Sequence, residues 1–456
     1  MAKNAKLVLA EKDGTNKKRE LWVSSDMNIQ ILEKQDLQRR KAQHQGVRDL
    51  LEKVFLPAGY PKTVTPASLL ASRAVLEGIG VGDSSATATQ AMLLSVLRDA
   101  FGRIATIVGA YYLGTSLISE AKTYRILADV LNDLGVVIDV LAPVLNTLFF
   151  PGAIEVGLCT SAALKALCGI VAGGSKTAIT LHFATPVSGL GDLGDLNAKD
   201  SSKETVLALM GMLLGSLIVP LITSMWATYA SLFILVGLHL IINYYGVRGV
   251  ALRQLNKQRA AIAWLHYKTN KKAPTPQQVA EQEYLFDQPG IIRDLSTHRI
   301  IGQYHMGSAP LDVLRGPFLS SSFLQIFESQ KYLLCFQTDP VDAIRRPDQY
   351  PIIHVCFRED FTPEDQTMGW IHAVEICRLI TSRGSSAIAD FEALLQLIAS
   401  TLRSISSTSV LSEFQEELKR AGWNTSESHV MSGSGPKALL VTAALAEEQR
   451  NETRKC

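Results

Sequence analysis

The chain has 456 residues, 47% of them hydrophobic, and its 45 basic and 43 acidic side chains leave a formal net charge of +2 at pH 7. A chain with balanced charge lacks the basic surface typical of nucleic-acid binders, so we expect no nucleic-acid partner. The six cysteines form no C-x-x-C pair and no metal-ligand spacing, which predicts ordinary thiols in a reducing compartment and no metal site.

The first third of the chain changes from polar to apolar. Residues 1–53 are heavily charged and predict a loosely packed arm with a short helix around 26–44. Residues 54–66 contain three prolines, which favours an extended segment. From about residue 68 to 250 the chain is rich in Gly and Ala, and its periodicity predicts helices at 84–98, 100–118, 122–141 and 155–173. We therefore predict a helical domain over 54–260.

The most informative segment is 205–247, which contains 43 residues and no Asp, Glu, Lys or Arg. Since about 20 apolar residues span a bilayer, this length suffices for two crossings. Pro220, Thr223 and Ser224 divide the segment into halves, and Trp226 and Tyr229 suit an interface. The pattern predicts a helical hairpin in a membrane, with membrane lipid as a partner.

An alternative for 205–247 is a pair of helices buried in a large soluble core. Soluble helices normally keep a polar face, and this segment has none. Basic residues precede the segment at Lys199 and Lys203 and follow it at Arg248 and Arg253. This favours the membrane hairpin, with both ends on the positive side. The location is therefore predicted as membrane, hairpin or multi-pass, in an unspecified organelle.

A polar stripe runs along the predicted helix at 122–141. Arg125, Asp129, Asn132, Val136 and Asp139 recur at alternating spacings of four and three, with Asp133 beside them. Within a membrane such a stripe lines a bundle interior or a solute path, because isolated carboxylates in lipid are too costly. Outside a membrane it is a solvated face, and both alternatives stay open.

Three further polar residues are candidates for ligand binding. Lys176 follows a glycine-rich stretch that superficially resembles a phosphate-binding P-loop, but Ser175 separates Gly174 from the lysine, so that motif is absent. Lys199 and Asp200 are predicted in a polar loop before the hairpin, where Ser201 and Glu204 have the spacing of a capping box. A lysine beside a helix N-terminus suits an anionic group.

The last part of the chain changes composition again. Residues 261–280 are predicted as a polar linker, and 281–456 as a small α+β domain. Strands are expected at 331–336 and 351–357, and helices at 362–381, 387–404 and 410–421. The scattered histidines match no zinc-enzyme motif, so we predict no catalytic residue, no metal and no cofactor. The overall fold class is mainly α: a membrane-embedded or membrane-associated bundle followed by a small α+β domain.

Several motifs taken in order resemble the root UVB-sensitive (RUS) family. They are FLPAGYPKTVTP at 55–66, LEGIGVGDSSATATQAML at 76–93, LRDAFGR at 97–103, YRILADVLNDLG at 124–135, AGGSKTAITLHFA at 172–184, LNAKDSSKETV at 196–206 and NYYGVRGV at 243–250. About one helix after residue 66 is missing relative to the family pattern. The resemblance implies no established reaction, and it implies roles in ultraviolet-B responses and in vitamin B6 (pyridoxal phosphate) homeostasis.

Three functions compete. The first is a non-enzymatic membrane protein supporting small-molecule homeostasis, whose C-terminal domain binds a second family member or another copy of this chain. The second is a small-molecule transporter that resembles half of a major-facilitator carrier. The third is a soluble pyridoxal phosphate-binding protein, for which neither a phosphate-binding backbone nor a carboxylate for the pyridine nitrogen can be located.

Overall fold

The computed structural model describes residues 5–13, 18–24, 29–33, 88–114, 116–148, 153–184, 192–313, 320–337, 350–383, 391–406, 408–429, 436 and 438–441. The chain divides into two compact units. The described residues between 88 and 249 form a helical unit, and those of 5–33 and 250–441 form a second unit with a β-sheet. The chain is mainly helical with some sheet, as the sequence predicts.

The helical unit contains five long helices. They are α1 (Ala88–Leu113), α2 (Ala121–Leu148), α3 (Ala153–Ala184), α4 (Leu193–Ile218) and α5 (Met225–Arg248). Within the described residues, the two helices predicted at 84–98 and 100–118 form one helix, α1, which continues through Asp99 and ends at Leu113. The position after residue 66, where the sequence lacks about one helix of the family pattern, lies outside the described residues.

Small residues bring α2 and α3 close together. Ser161 of α3 donates a hydrogen bond from Oγ to the backbone oxygen of Gly135 in α2 at 2.9 Å. A Cβ on Gly174 would lie 2.5 Å from the side chain of Leu117, so this position has no room for a larger residue. The glycines of α3 do not all act in this way, since Gly169 and Gly173 have no neighbour within 4 Å. Helix α3 packs along both α1 and α2.

Helices α4 and α5 form the predicted hairpin, with a short 3-10 turn at Val219–Leu221 between them. Pro220 lies in that turn, where its fixed φ suits the first positions of a helix. The predicted capping by Ser201 is wrong, because α4 begins two turns earlier. Asp192 caps it instead and accepts hydrogen bonds at Oδ1 from the amides of Gly194 at 2.8 Å and Asp195 at 3.1 Å.

The second unit contains an eight-stranded sheet and several helices. Its strands run in the order β3-β2-β1-β10-β8-β6-β5, with β7 paired to β8, and β4 and β9 form a separate parallel pair. The strands are β1 (Ala5–Asp13), β2 (Lys18–Ser24), β3 (Ile29–Glu33), β4 (Gln254–Asn256), β5 (Ile291–Arg293), β6 (Ile300–Met306), β7 (Tyr332–Phe336), β8 (Ile352–Arg358), β9 (Asn424–His429) and β10 (Ala438–Val441). The helices are α6 (Lys257–Asn270), α7 (Pro276–Gln282), α8 (Pro310–Val313), α9 (Ser321–Ile326), α10 (Pro363–Arg383), α11 (Phe391–Ile405) and α12 (Thr408–Arg420).

The centre of this unit is a continuous apolar core between the sheet and its helices. Strand β8 has three partners in the sheet: it pairs in parallel with β6 and β10 and antiparallel with β7. Helix α10 packs against β6, β7 and β8. Trp264, Phe357 and Trp370 are among the fully buried side chains. The strands and helices predicted between 331 and 421 agree with β7, β8, α10, α11 and α12.

Two segments of this unit differ from the sequence expectation. The stretch predicted as a linker, 261–280, contains most of α6, whose apolar run from Ala260 to Leu265 is buried in the core. Strands β1, β2 and β3 occupy part of the predicted N-terminal arm, and β1 pairs antiparallel with β10. Residues 29–33 are a strand where a helix was expected around 26–44; the rest of 34–53 lies outside the described residues.

Candidate functional site

Three helices of the helical unit are long and apolar enough to cross a membrane: α3, α4 with its 3-10 turn, and α5. No side chain of α4 is buried among the described residues, and Val247 is the single buried side chain of α5. Leu213 is 59% exposed and Trp226 is 84% exposed. The apolar parts of α4 and α5 are therefore mostly exposed, apart from the face of α5 that packs on α2.

This exposure argues against the alternative that residues 205–247 form two helices buried in a soluble core. Helices buried in a soluble core have their apolar side chains against other residues, whereas most large apolar side chains of α4 and α5 are exposed within the described structure. Soluble monomers rarely expose an apolar surface of this extent, and lipid or another protein normally covers one. Among the described residues, α2 covers one face of α5, and most of the remaining apolar surface of α4 and α5 stays exposed.

A polar cluster lies where α5 packs on α2. Asp133 of α2 is buried, and its Oδ2 lies 2.7 Å from Nδ1 of His239 in α5. Asn132 donates a hydrogen bond from Nδ2 to Oδ1 of the same carboxylate at 3.4 Å. The pair joins residues that are 106 positions apart and links the hairpin to the bundle.

Asp129, one turn before Asp133, completes the cluster. It is 6% exposed, and its Oδ1 lies 3.4 Å from Nη2 of Arg125. Its Oδ2 is buried and has no hydrogen-bond partner. A buried polar atom without a partner is uncommon and costly, so it marks a position where a further group is expected.

The polar stripe of α2 thus lies against neighbouring helices. Asp129 and Asp133 are buried, and Asn132 and Asp139 are half-buried. Asp139 forms a close ion pair with Lys165 of α3. For Asp129 and Asp133 the structure excludes the alternative of a solvated face.

Of the three predicted ligand-binding residues, Lys176 and Asp200 lie together, whereas Lys199 is not part of that contact. Lys176 of α3 lies 3.1 Å from Asp200 and 2.7 Å from Glu204, both on α4, so it ties these two helices together. Lys199 pairs with Asp195 one turn earlier on its own helix at 2.7 Å and points into solvent. Both Lys199 and Asp200 lie inside α4 and not in a loop, because Asp192 starts the helix before them.

Two buried polar groups of the second unit, His372 and Glu375, have partners within its core, whereas the buried Nε1 of Trp370 has no hydrogen-bond partner in the described structure. His372 accepts a hydrogen bond at Nδ1 from the Tyr332 hydroxyl at 3.1 Å and donates from Nε2 to the backbone oxygen of Ile398 at 3.1 Å. Burial lowers the pKa of His372 to about 3, so its ring is neutral. Glu375 is held by Arg378 through hydrogen bonds of 2.6 and 3.0 Å. Both groups stabilise the fold.

No three His, Cys, Asp or Glu side chains come together as a metal site in the part of the chain that the structure describes. The residue that sequence reasoning missed is His239. The available signal was its position as the one ionisable imidazole inside a 43-residue run without other charges. Polar residues in such a run are usually paired and functional.

The sequence profile of one family, described as the vitamin B6 photo-protection and homoeostasis domain, matches residues 66–271. RUS family member 1 of Dictyostelium discoideum is 34% identical over 261 residues, which cover 52% of this chain and 48% of that protein. Protein root UVB sensitive 3 of Arabidopsis thaliana is 27% identical over 81% of this chain and 82% of its own length. Protein root UVB sensitive 2, chloroplastic, of Arabidopsis thaliana is 25% identical over 71% of this chain and 72% of its own length. The chain thus spans about half of the Dictyostelium relative, and no solved structure matches it.

Proposed function

Because the chain belongs to the root UVB sensitive (RUS) family, we propose that it is a non-enzymatic integral membrane protein that supports the homeostasis of a small molecule. The description of the matched domain makes a vitamin B6 compound the first candidate for that molecule. In this proposal the helical unit is inserted in the membrane. The second unit, an α+β domain, binds a second family member or another copy of the chain.

The observation that carries the proposal is the uncovered apolar surface of α4 and α5. A lipid bilayer covers such a surface without any polar partner, and a helix satisfies its own backbone groups there. The apolar part of the hairpin begins after Glu204 and ends before Arg248. Charged residues at both ends favour placing the two ends on the same side of the membrane.

Alkaline carbonate extraction tests this proposal. Membranes from cells that express the full chain are washed at high pH, which releases proteins bound only by charge or by other proteins. We expect the chain to stay in the membrane pellet, as an integral control protein does. Quantitative release into the supernatant would contradict membrane insertion and would favour the alternative of a soluble pyridoxal phosphate-binding protein.

A specific observation favours a second candidate, a small-molecule transporter. Asp133 and His239 place a polar pair between two helices, one of which is apolar enough to span a membrane. Ionisable residues within membrane helices commonly lie on substrate or proton paths. Flux of labelled B6 vitamers into vesicles that contain the purified chain tests this candidate. Flux equal to that of empty vesicles would exclude the transporter and favour the non-transporting membrane protein.

A further inference from the structure

The depth of the polar cluster is its first distinctive property. His239 lies nine residues before Arg248, at the end of α5, which is about 13 Å along a helix. Half of a bilayer's hydrocarbon core is about 15 Å. If α5 spans the membrane as proposed above, the pair between Asp133 and His239 lies near the midplane.

The charges of the cluster are its second property. Arg125 and Asp129 cancel each other, which leaves the carboxylate of Asp133 and the imidazole of His239. With a neutral ring the cluster carries one negative charge, and with one more proton it carries none. Because a net charge is unfavourable in a low-dielectric interior, the cluster gains from holding that proton.

Asp129 supplies an independent third observation. Its side chain is more than nine-tenths buried, and its Oδ2 accepts no hydrogen bond. An unsatisfied carboxylate oxygen one turn from Asp133 is an acceptor for a proton or for a proton-donating group. A site that binds a proton needs no cavity, which agrees with the close packing of α2 on α3.

We propose that Asp129, Asp133 and His239 form an intramembrane proton-binding site. Nδ1 of His239 donates its hydrogen to Oδ2 of Asp133, and the lone pair of Nε2 accepts a proton from hydronium, which leaves water. The His239 side chain is 43% exposed, so the described helices do not enclose the ring. This inference rests on the proposed function because it places α5 in the membrane, and it makes proton exchange the chemistry of that protein.

The groups that face this site come from three helices. Helix α2 contributes Arg125 and the two aspartates, and α5 contributes the histidine. From α3, the Cys168 thiol lies within electrostatic reach of both aspartates. The ion pair between Lys165 and Asp139 also joins α2 to α3 and is internally neutral.

Histidine NMR of the full chain in lipid nanodiscs tests the site, with the proton as the probe. The chain is labelled at its histidines, His239→Gln identifies the relevant signal, and the pH is varied from 4 to 10. We expect the wild-type signal to change with pH, and its midpoint to move in Asp133→Asn, because the substitution removes the carboxylate that lies 2.7 Å from Nδ1 and favours the protonated ring. A smaller movement is expected in Asp129→Asn.

Asp195→Asn is the matched control, because that carboxylate is exposed and forms its ion pair with Lys199 on the same helix. It should leave the His239 midpoint in place. If Asp133→Asn does not fold, Asp133→Glu keeps the negative charge and should leave the His239 midpoint close to that of wild type. A His239 signal that does not titrate, or whose midpoint is the same in wild type and Asp133→Asn, overturns the inference and leaves a structural ion pair. Release of wild-type chain by carbonate overturns the proposed function separately.

Discussion

Replacing Leu213 by Arg is the sharpest perturbation of the hairpin. Leu213 lies in the middle of the apolar part of α4, is 59% exposed, and has no buried neighbour on its own helix. The substitution therefore disturbs almost no packing within the chain. In water an exposed Arg on a helix costs little, whereas at the centre of a membrane helix it costs about 2.5 to 3.5 kcal/mol.

That cost corresponds to about a 60- to 300-fold lower insertion equilibrium, since each 1.4 kcal/mol is tenfold. The assay is translation of the full chain into microsomes with a glycosylation acceptor placed in the turn between α4 and α5. We expect Leu213→Arg to remove most of the glycosylated product. Ser202→Arg is the control, because Ser202 is exposed in the polar first part of α4. Equal glycosylation of Leu213→Arg and wild type would refute the reasoning.

Three further predictions concern stability; the first two are measured by unfolding of the full chain in detergent and the third by hydrogen exchange. Asp192→Ala should lower the free energy of unfolding by about 0.5 to 2 kcal/mol through loss of the N-cap, whereas Ser201→Ala should change it little. A larger loss in Ser201→Ala than in Asp192→Ala would instead support the predicted capping box at Ser201 and Glu204. Gly174→Ala should cost about 1 to 3 kcal/mol, since its Cβ would approach a leucine side chain to 2.5 Å, whereas Gly211→Ala has open space; equal melting temperatures would contradict this packing. Hydroxyl and amide donors lower the pKa of Asp294 from 3.8 to about 2, so its contribution to stability is present above about pH 4 and is lost as the pH falls through 2. Asp294→Asn should therefore weaken the acid sensitivity of this turn in hydrogen exchange between pH 5 and 2, and an unchanged profile would exclude this role.

The hairpin and its turn are predictable because they depend on local properties of the chain. A 43-residue run without charge defines the two helices, and Pro220 defines the turn. The polar stripe of α2 is equally visible as a 3.6-residue periodicity. Strands β7 and β8 are short apolar runs with recognisable boundaries.

What the sequence does not predict depends on contacts between distant residues. The polar stripe is visible, but its partner His239 is not, because the pair forms across 106 positions. The sequence predicts a linker over most of α6 because polar residues flank its apolar centre, and that centre becomes part of the core through the sheet and helices around it. Strand β1 is interrupted by charges, and its pairing with β10 joins the two ends of the chain.

Site-directed spin labelling tests the central claim, insertion of the hairpin, most directly. A label at Leu213, in the full chain reconstituted in vesicles, is compared with a label at Ser202 for collisions with oxygen and with a water-soluble nickel chelate. Insertion predicts that the Leu213 label collides mainly with oxygen, which concentrates in lipid, and that the Ser202 label collides mainly with the chelate. Access of the nickel chelate to both labels would show that α4 lies in water and would contradict the account.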